Sequence, residues 1–176
     1  MAKVPENPCS VARSLGVLGE RWTFLILRDA FEGVTRFDEF RESLGIATDV
    51  LTARLATLVE YGVMEKAEYH EPGARRRYSY LLTPAGRELF VIIAGLQQWG
   101  DRHLPWRGGP SLLRVDATTG EPVHLGFIGT DGREVAADDV AMIPTASYPR
   151  DRLAARQSAA ARGSRSPARH LLSRIE

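Results

Sequence analysis

The stretch 36–62, RFDEFRESLGIATDVLTARLATLVEYG, leaves few folds open. Phe37, Phe40 and Leu44 fall at i, i+3 and i+7, one face of a short helix. Gly45 comes next, a residue able to take positive φ and end that helix. A second helix is expected over about 47–61, with Leu51, Leu55 and Leu58 inward and Val59 flanking. Its other face carries Thr48, Asp49, Thr52, Ala53, Arg54, Ala56 and Thr57. These side chains are small or hydrogen-bonding, with one guanidinium. A helix lying in the DNA major groove needs such a face, small enough to approach and polar enough to pair with base edges. Two helices with a glycine between them also occur as plain hairpins, so the next segment of the chain decides between the two.

After Gly62 the period changes to two. Val63, Glu65, Ala67 and Tyr69 face one way, and Met64, Lys66 and Glu68 the other. His70 to Ala74, with Pro72-Gly73, reads as a turn, and Arg77 to Leu82 as a returning strand. Arg75, Arg76 and Arg77 lie beside the tip. A basic hairpin directly after a reading helix is the wing of a winged helix, and its guanidiniums suit phosphates or a narrow minor groove. The fold class is therefore mainly α with a β-hairpin wing.

The flanking segments complete the unit. Ser10 is an N-cap candidate for a helix over 11–18, whose apolar face holds Val11, Leu15 and Leu18. Residues 20–32, ERWTFLILRDAFE, are apolar nearly all round, as in a helix central to a core or shared with a partner. Thr83-Pro84 starts a helix running to about His103, with Thr as N-cap and Pro at N1. Leu89, Ile93, Leu96 and Trp99 form a stripe along it, and Phe90, Val91 and Ile92 add more apolar surface than one small core uses. That excess predicts a dimer interface made by Val11, Leu15, Leu89, Phe90, Ile93, Leu96 and Trp99. A two-fold dimer suits a palindromic site on double-stranded DNA.

These residues carry a resemblance. Residues 9 to about 104 resemble the HxlR-type family of winged-helix transcriptional regulators. The likeness rests on CSVARSLGVLGERWTFLILRDAF, on GVTRFDEFRESLGIATDVLTARLATLVEYGVMEK, and on YSYLLTPAGREL followed by QQWGDRHL. It implies a homodimer built from the first and last helices, reading helices in successive major grooves, and flanking wings. Asp49 departs from the basic or polar residue frequent there. A carboxylate would repel phosphate or select a cytosine amine. Some members use the cysteine that matches Cys9 to sense electrophiles or oxidants. A thiol at a helix N-terminus has its thiolate favoured, and Arg13 would add to that by facing back. The other reading of Cys9 is a small hydrophobe at an interface.

The remainder of the chain is less defined. PWRGGP at 105–110 is a linker signal. Strands are expected at 111–115, 122–128, 134–140 and 141–144, with turns at 118–120 and 130–133, giving a small C-terminal β-rich appendage over 105–146. Residues 1–8 are expected to be a flexible arm and 147–176 a basic, mobile tail, helical in parts. Between 150 and 176 the tail has seven Arg against Asp151 and Glu176.

The 176 residues carry a net charge of only +1, so bulk charge does not announce a nucleic-acid binder and the distribution must. The lone Cys excludes an intrachain disulfide and fits a reducing, cytoplasmic setting. No apolar run approaches a membrane span, and the first residues lack a signal core. Neither a metal nor another cofactor is expected. His103 and His124 lack ligand spacing, and Asp138-Asp139 reads as a solvated turn. Phosphate loops, HExxH and nucleophile elbows are missing, so an enzyme is not expected. The expected function is a dimeric, sequence-specific DNA-binding regulator, a repressor, with Cys9 as a switch. Its first alternative is a regulator whose ligand cavity lies between dimer and appendage. The second is a winged-helix assembly module without specific DNA binding.

Overall fold

A computed structural model describes residues 6–69 and 77–161 of the chain. The chain divides into two compact units, 1–112 and 113–176. The first unit runs α1 (Ser10–Leu18), α2 (Arg21–Phe31), α3 (Phe37–Leu44), α4 (Thr48–Glu60), β1 (Met64–Tyr69), β2 (Arg77–Leu82), α5 (Pro84–Glu88) and α6 (Phe90–His103). The second holds β3 (Phe127–Ile128), β4 (Glu134–Val135), a single 3-10 turn at Ala137–Asp139, and α7 (Arg150–Ala161).

The core of the first unit is drawn from all its central elements. Ile26 and Leu27 come from α2, Phe40 from α3, and Leu51, Leu55 and Leu58 from α4, with Ile46 from the turn between the last two. Val63 and Met64 close it below. Each such buried side chain contributes roughly 1.5–3 kcal/mol relative to exposure. The leucines of α4 recur at i, i+4 and i+7, which is why that helix has one inner face. Gly45 takes φ +59, so the chain reverses between α3 and α4 with no Cβ in the way. The strands β1 and β2 pair antiparallel from Met64 opposite Leu82 to Tyr69 opposite Arg77. Where strict alternation predicts opposite faces for Val63 and Met64, both are buried, because β1 begins only at Met64 and Val63 belongs to the turn closing α4.

Three details of the elements differ from the sequence expectation. First, α1 begins at Ser10, so Cys9 rather than Ser10 occupies the cap position, without a side-chain cap bond. The Cys9 N–H donates instead to Asn7 Oδ1 at 2.9 Å, which positions the chain before the helix. Second, the helix expected from Pro84 to His103 is broken at Leu89. The Leu89 N–H reaches back only three residues, to the Gly86 carbonyl at 3.1 Å, a 3-10 type bond that tightens the turn and re-aims α6. Third, the β content of 113–146 is minor. The expected strands reduce to the two-residue ladder of β3 and β4 and a lone bridge of Val115 with Pro122.

The turns in that second unit explain its brevity of strand. Asp116 Oδ1 accepts from the Thr118 and Thr119 N–H groups at 2.7 and 3.0 Å, and Asp131 accepts from the Arg133 N–H and Nε. Side chains thus take backbone donors that a longer ladder would need. Pro122 has no donor to give. Those bonds hold both carboxyls below their usual range, the Asp116 one through the Thr118 and Thr119 amides and the Asp131 one through Arg133. The turns therefore keep their form as pH falls to the ordinary carboxylate range, and loosen only as the lowered pKa values are crossed.

Candidate nucleic-acid interface

The site is built on α4. Its inner leucines are buried, and that fixes which side chains face out. Thr48, Asp49, Thr52 and Ala53 are exposed, and Ala56 continues their surface one turn on. The hydroxyl protons of Thr52 and Thr57 are already committed. Thr52 Oγ1 donates to the Thr48 carbonyl at 2.7 Å, and Thr57 Oγ1 to the Ala53 carbonyl at 3.0 Å. What Thr52 offers outward is therefore its methyl group and its oxygen lone pairs, partners for a thymine methyl or for a cytosine or adenine amine. Asp49 stands exposed in the first helical turn, where the positive helix end favours a carboxylate.

Arg54 and Thr57 are half-buried, at the edge of this face. The Arg54 Nη1 lies 4.0 Å from Glu20 Oε1, just before α2, so its guanidinium flanks the exposed face instead of standing at its centre. A joint formed by Leu82, Thr83 and Gly86, within LLTPAG, anchors the far end. Thr83 Oγ1 donates to the Gly62 carbonyl at 2.6 Å and accepts from the Gly86 N–H at 3.1 Å, tying the end of α4 to the start of α5.

The wing is a larger sheet than its two strands. The Tyr80 N–H donates to the Thr35 carbonyl at 2.7 Å, and Arg36 bridges to Ser79, so the segment before α3 pairs on the free edge of β2. The wing thereby sits rigidly on the helix pair. The sequence carries no sign of this pairing, because two residues have no period. Nor does it mark two cations held on this sheet. Arg36 stacks over Tyr69 at 4.7 Å, and Lys66 over Tyr78 at 3.8 Å. The β1–β2 register would have found Lys66, since it stands opposite Tyr80. Burial raises the Tyr80 phenol above its usual range, with Tyr78 adding to the effect, so the ring stays neutral at ordinary pH. Arg77 is exposed at the start of β2. Arg75, Arg76 and the turn at 70–74 lie outside the described residues, as do the first five residues and 162–176.

The residues expected at a dimer interface divide in two. Val11, Leu15, Phe90, Leu96 and Trp99 are exposed, Val11 by 67% and Trp99 by 57%, while Leu89 and Ile93 pack beneath them on the core. Cys9 is half-buried at the cap of α1. Arg13 does face back, donating to the Asn7 carbonyl and to Ser10 Oγ. His103 lies against Trp99, and His124 Nε2 is 3.1 Å from Glu134 Oε1. Among the described residues no three metal-ligating side chains converge. No described helix is long and apolar enough to cross a membrane.

A helix pair whose second helix has an exposed polar face, followed by a hairpin paired to it, defines a winged helix-turn-helix protein. The sequence profile of the HxlR-like helix-turn-helix family matches residues 17–107, and the chain belongs to that family. It is 43% identical over 136 residues to Rv3095 of Mycobacterium tuberculosis, an uncharacterised HTH-type transcriptional regulator, covering 77% of this chain and 85% of the relative. The solved structure of PA1607, assigned as a candidate transcription factor, superposes with a TM-score of 0.69 at 39% identity, over 80% of this chain and 97% of that one. PA1374 of Pseudomonas aeruginosa, with the same assignment, gives 0.57 at 38% identity, over 81% and 97%. The 136 residues shared with the mycobacterial relative exceed the 112 of the first unit, so that likeness runs on into the second. The chain is thus a transcriptional regulator of helix-turn-helix type and not an enzyme.

Proposed function

We propose that the chain is a homodimeric, sequence-specific repressor that works on DNA in the cytoplasm. The observation that carries this reading is the division of α4 into a buried leucine face and an exposed face of small polar residues. On this reading Thr48, Asp49, Thr52 and Ala53 meet base edges, and Arg54 and Thr57 flank them. Arg75, Arg76 and Arg77 meet phosphates beside the groove. Asp49 selects a cytosine amine where it reaches a base. The exposed apolar residues of α1 and α6 form the two-fold contact, with Leu89 and Ile93 supporting them, and the dimer reads a palindromic operator.

The Cys9 thiol is the second element of the proposal. It sits at the N-terminal end of α1, where the helix favours a thiolate, and the Arg13 guanidinium folds back to the same turn. Alkylation there, or a bond to a second thiol, would alter an element of the proposed dimer contact and so couple electrophiles to DNA release.

The wing gives the first test. Arg75→Ala with Arg76→Ala should weaken binding to every sequence alike. It should also lower the slope of log affinity against log salt by about 2, near 0.9 for each lost phosphate contact. Binding titrations at several salt concentrations measure this, and an unchanged slope removes the wing from the interface. Salt-independent association with a protein, with no affinity for DNA, would instead favour an assembly module.

A further inference from the structure

A cleft of about 750 Å³ runs between α2 and α6, and its size suits a small organic molecule. Phe24, Phe31, Phe90 and Leu96 wall it, and Phe90 and Leu96 are also residues of the two-fold contact proposed above. The rings of Phe31 and Phe90 meet edge to face at 5.1 Å, which holds both in place. The chain after α6 returns to the same cleft, where Gln97 Nε2 donates to the Leu112 carbonyl at 2.9 Å.

The charges at this cleft select what enters. Arg28 in the last turn of α2 and Glu32 at its C-terminal cap both line it. The Arg28 guanidinium is already engaged, its Nε and Nη2 donating to Asp29 Oδ1 at 2.8 and 2.6 Å. Arg28 and Asp29 thus cancel, and the Glu32 carboxylate leaves the group with one net negative charge. Gln97 gives one amide N–H to Leu112, and its Oε1 accepts. Aromatic walls, a carboxylate and an acceptor oxygen together complement a lipophilic cation. An anion would face Glu32 and would have to take Arg28 from Asp29.

We propose that the α2–α6 cleft binds a lipophilic organic cation, an aromatic or quaternary onium ion of drug size, as an effector. The binding stands on the cleft alone, whereas its effect on DNA rests on the regulator reading above. The connection is short. Asp29 Oδ2 accepts from Ser43 Oγ at 2.7 Å, on the first helix of the helix-turn-helix. The Glu32 N–H donates to the Asp29 carbonyl at 3.0 Å, so an occupant drawn to Glu32 bears on the residue that anchors α3.

The test uses tetraphenylphosphonium and tetraphenylborate, which share a shape and differ in charge, titrated calorimetrically into the full chain without DNA. The phosphonium should saturate one site per chain and bind at least about tenfold tighter than the borate, a difference of about 1.4 kcal/mol. Glu32→Lys should reverse that preference, and because Glu32 is exposed the variant should melt with the wild type. Equal binding of the two ions, no saturable binding, or a preference unchanged in Glu32→Lys would overturn the proposal. No saturable binding is also the outcome if side chains of a second copy fill the cleft. Since DNA is absent, each of these results leaves the DNA-binding reading where it stood.

Discussion

Gly86→Ala should unfold the winged-helix unit about 10 °C or more below the wild type, a loss of roughly 3 kcal/mol. Gly86 is buried in α5, and a Cβ built on it would land on the Val63 carbonyl oxygen, with Leu82 Cδ2 also close at 3.2 Å. The neighbour that would have to yield is backbone, and it is already fixed. The Val63 carbonyl accepts from the Thr83 N–H at 3.1 Å and lies 3.2 Å from Thr83 Oγ1, the longer branch of the bond that hydroxyl shares with the Gly62 carbonyl. A methyl group there must therefore push α5 off the end of α4 and break the Thr83 cap together with it. Thermal unfolding measures the effect. A melting temperature within about 2 °C of the wild type would mean that the joint is much looser than these contacts require, since one kcal/mol shifts a domain of this size by several degrees.

Asp29→Ala should cost about 2–3 kcal/mol, through a buried carboxylate lost together with its hydrogen-bond partners' acceptors. Asp29 is 2% exposed in the last turn of α2, yet it accepts from Arg28 and from Ser43 Oγ and so ties α2 to α3. Arg28 is 44% exposed, so solvent screens the ion pair and little of the loss is assigned to charge. The larger part comes from the void and from the Ser43 contact across the helix pair. Asp29→Asn keeps the volume and one acceptor oxygen, and should recover about half of the loss. Urea unfolding of both variants decides the matter. If Asn were as damaging as Ala, charge rather than packing and hydrogen bonding would be the source, and the account of this contact would be wrong.

These two positions mark what the sequence could and could not disclose. The inner leucines of α4, the reversal at Gly45, the Thr83 cap and the antiparallel hairpin follow from period and local residue chemistry, and the structure shows them where those signals lie. Gly86 was visible as part of a joint, but its reason was not, because the Val63 carbonyl that excludes a side chain comes from 23 residues earlier. Asp29 gave no signal at all. An acid in an apolar helix reads as its solvent edge until Ser43, 14 residues on, is found against it. The pairing of Thr35 with Tyr80 and the break at Leu89 were hidden for the same reason, since each depends on a partner element and not on a local pattern. In the second unit the alternation overstated the strands. Its apolar residues, Phe127 and Ile128 among them, are exposed, so nothing buried enforced the ladder that the alternation suggested. At the reading face, composition identified the outward residues of α4, whereas the turning of Arg54 toward Glu20 needed coordinates.

The central claim is that α4 reads DNA sequence, and selection of bound fragments from a genomic DNA pool tests it most directly. The full chain and a Thr48→Ala, Thr52→Ala variant are carried through the same rounds, with thermal unfolding confirming that both are folded. The account predicts that the wild type enriches a sequence of two inverted half-sites about one helical turn apart. It predicts also that the variant loses or changes the bases at fixed positions in each half-site. Retention of DNA without any enriched sequence, or an identical motif recovered by the variant, would contradict the assignment of α4 as the reading helix.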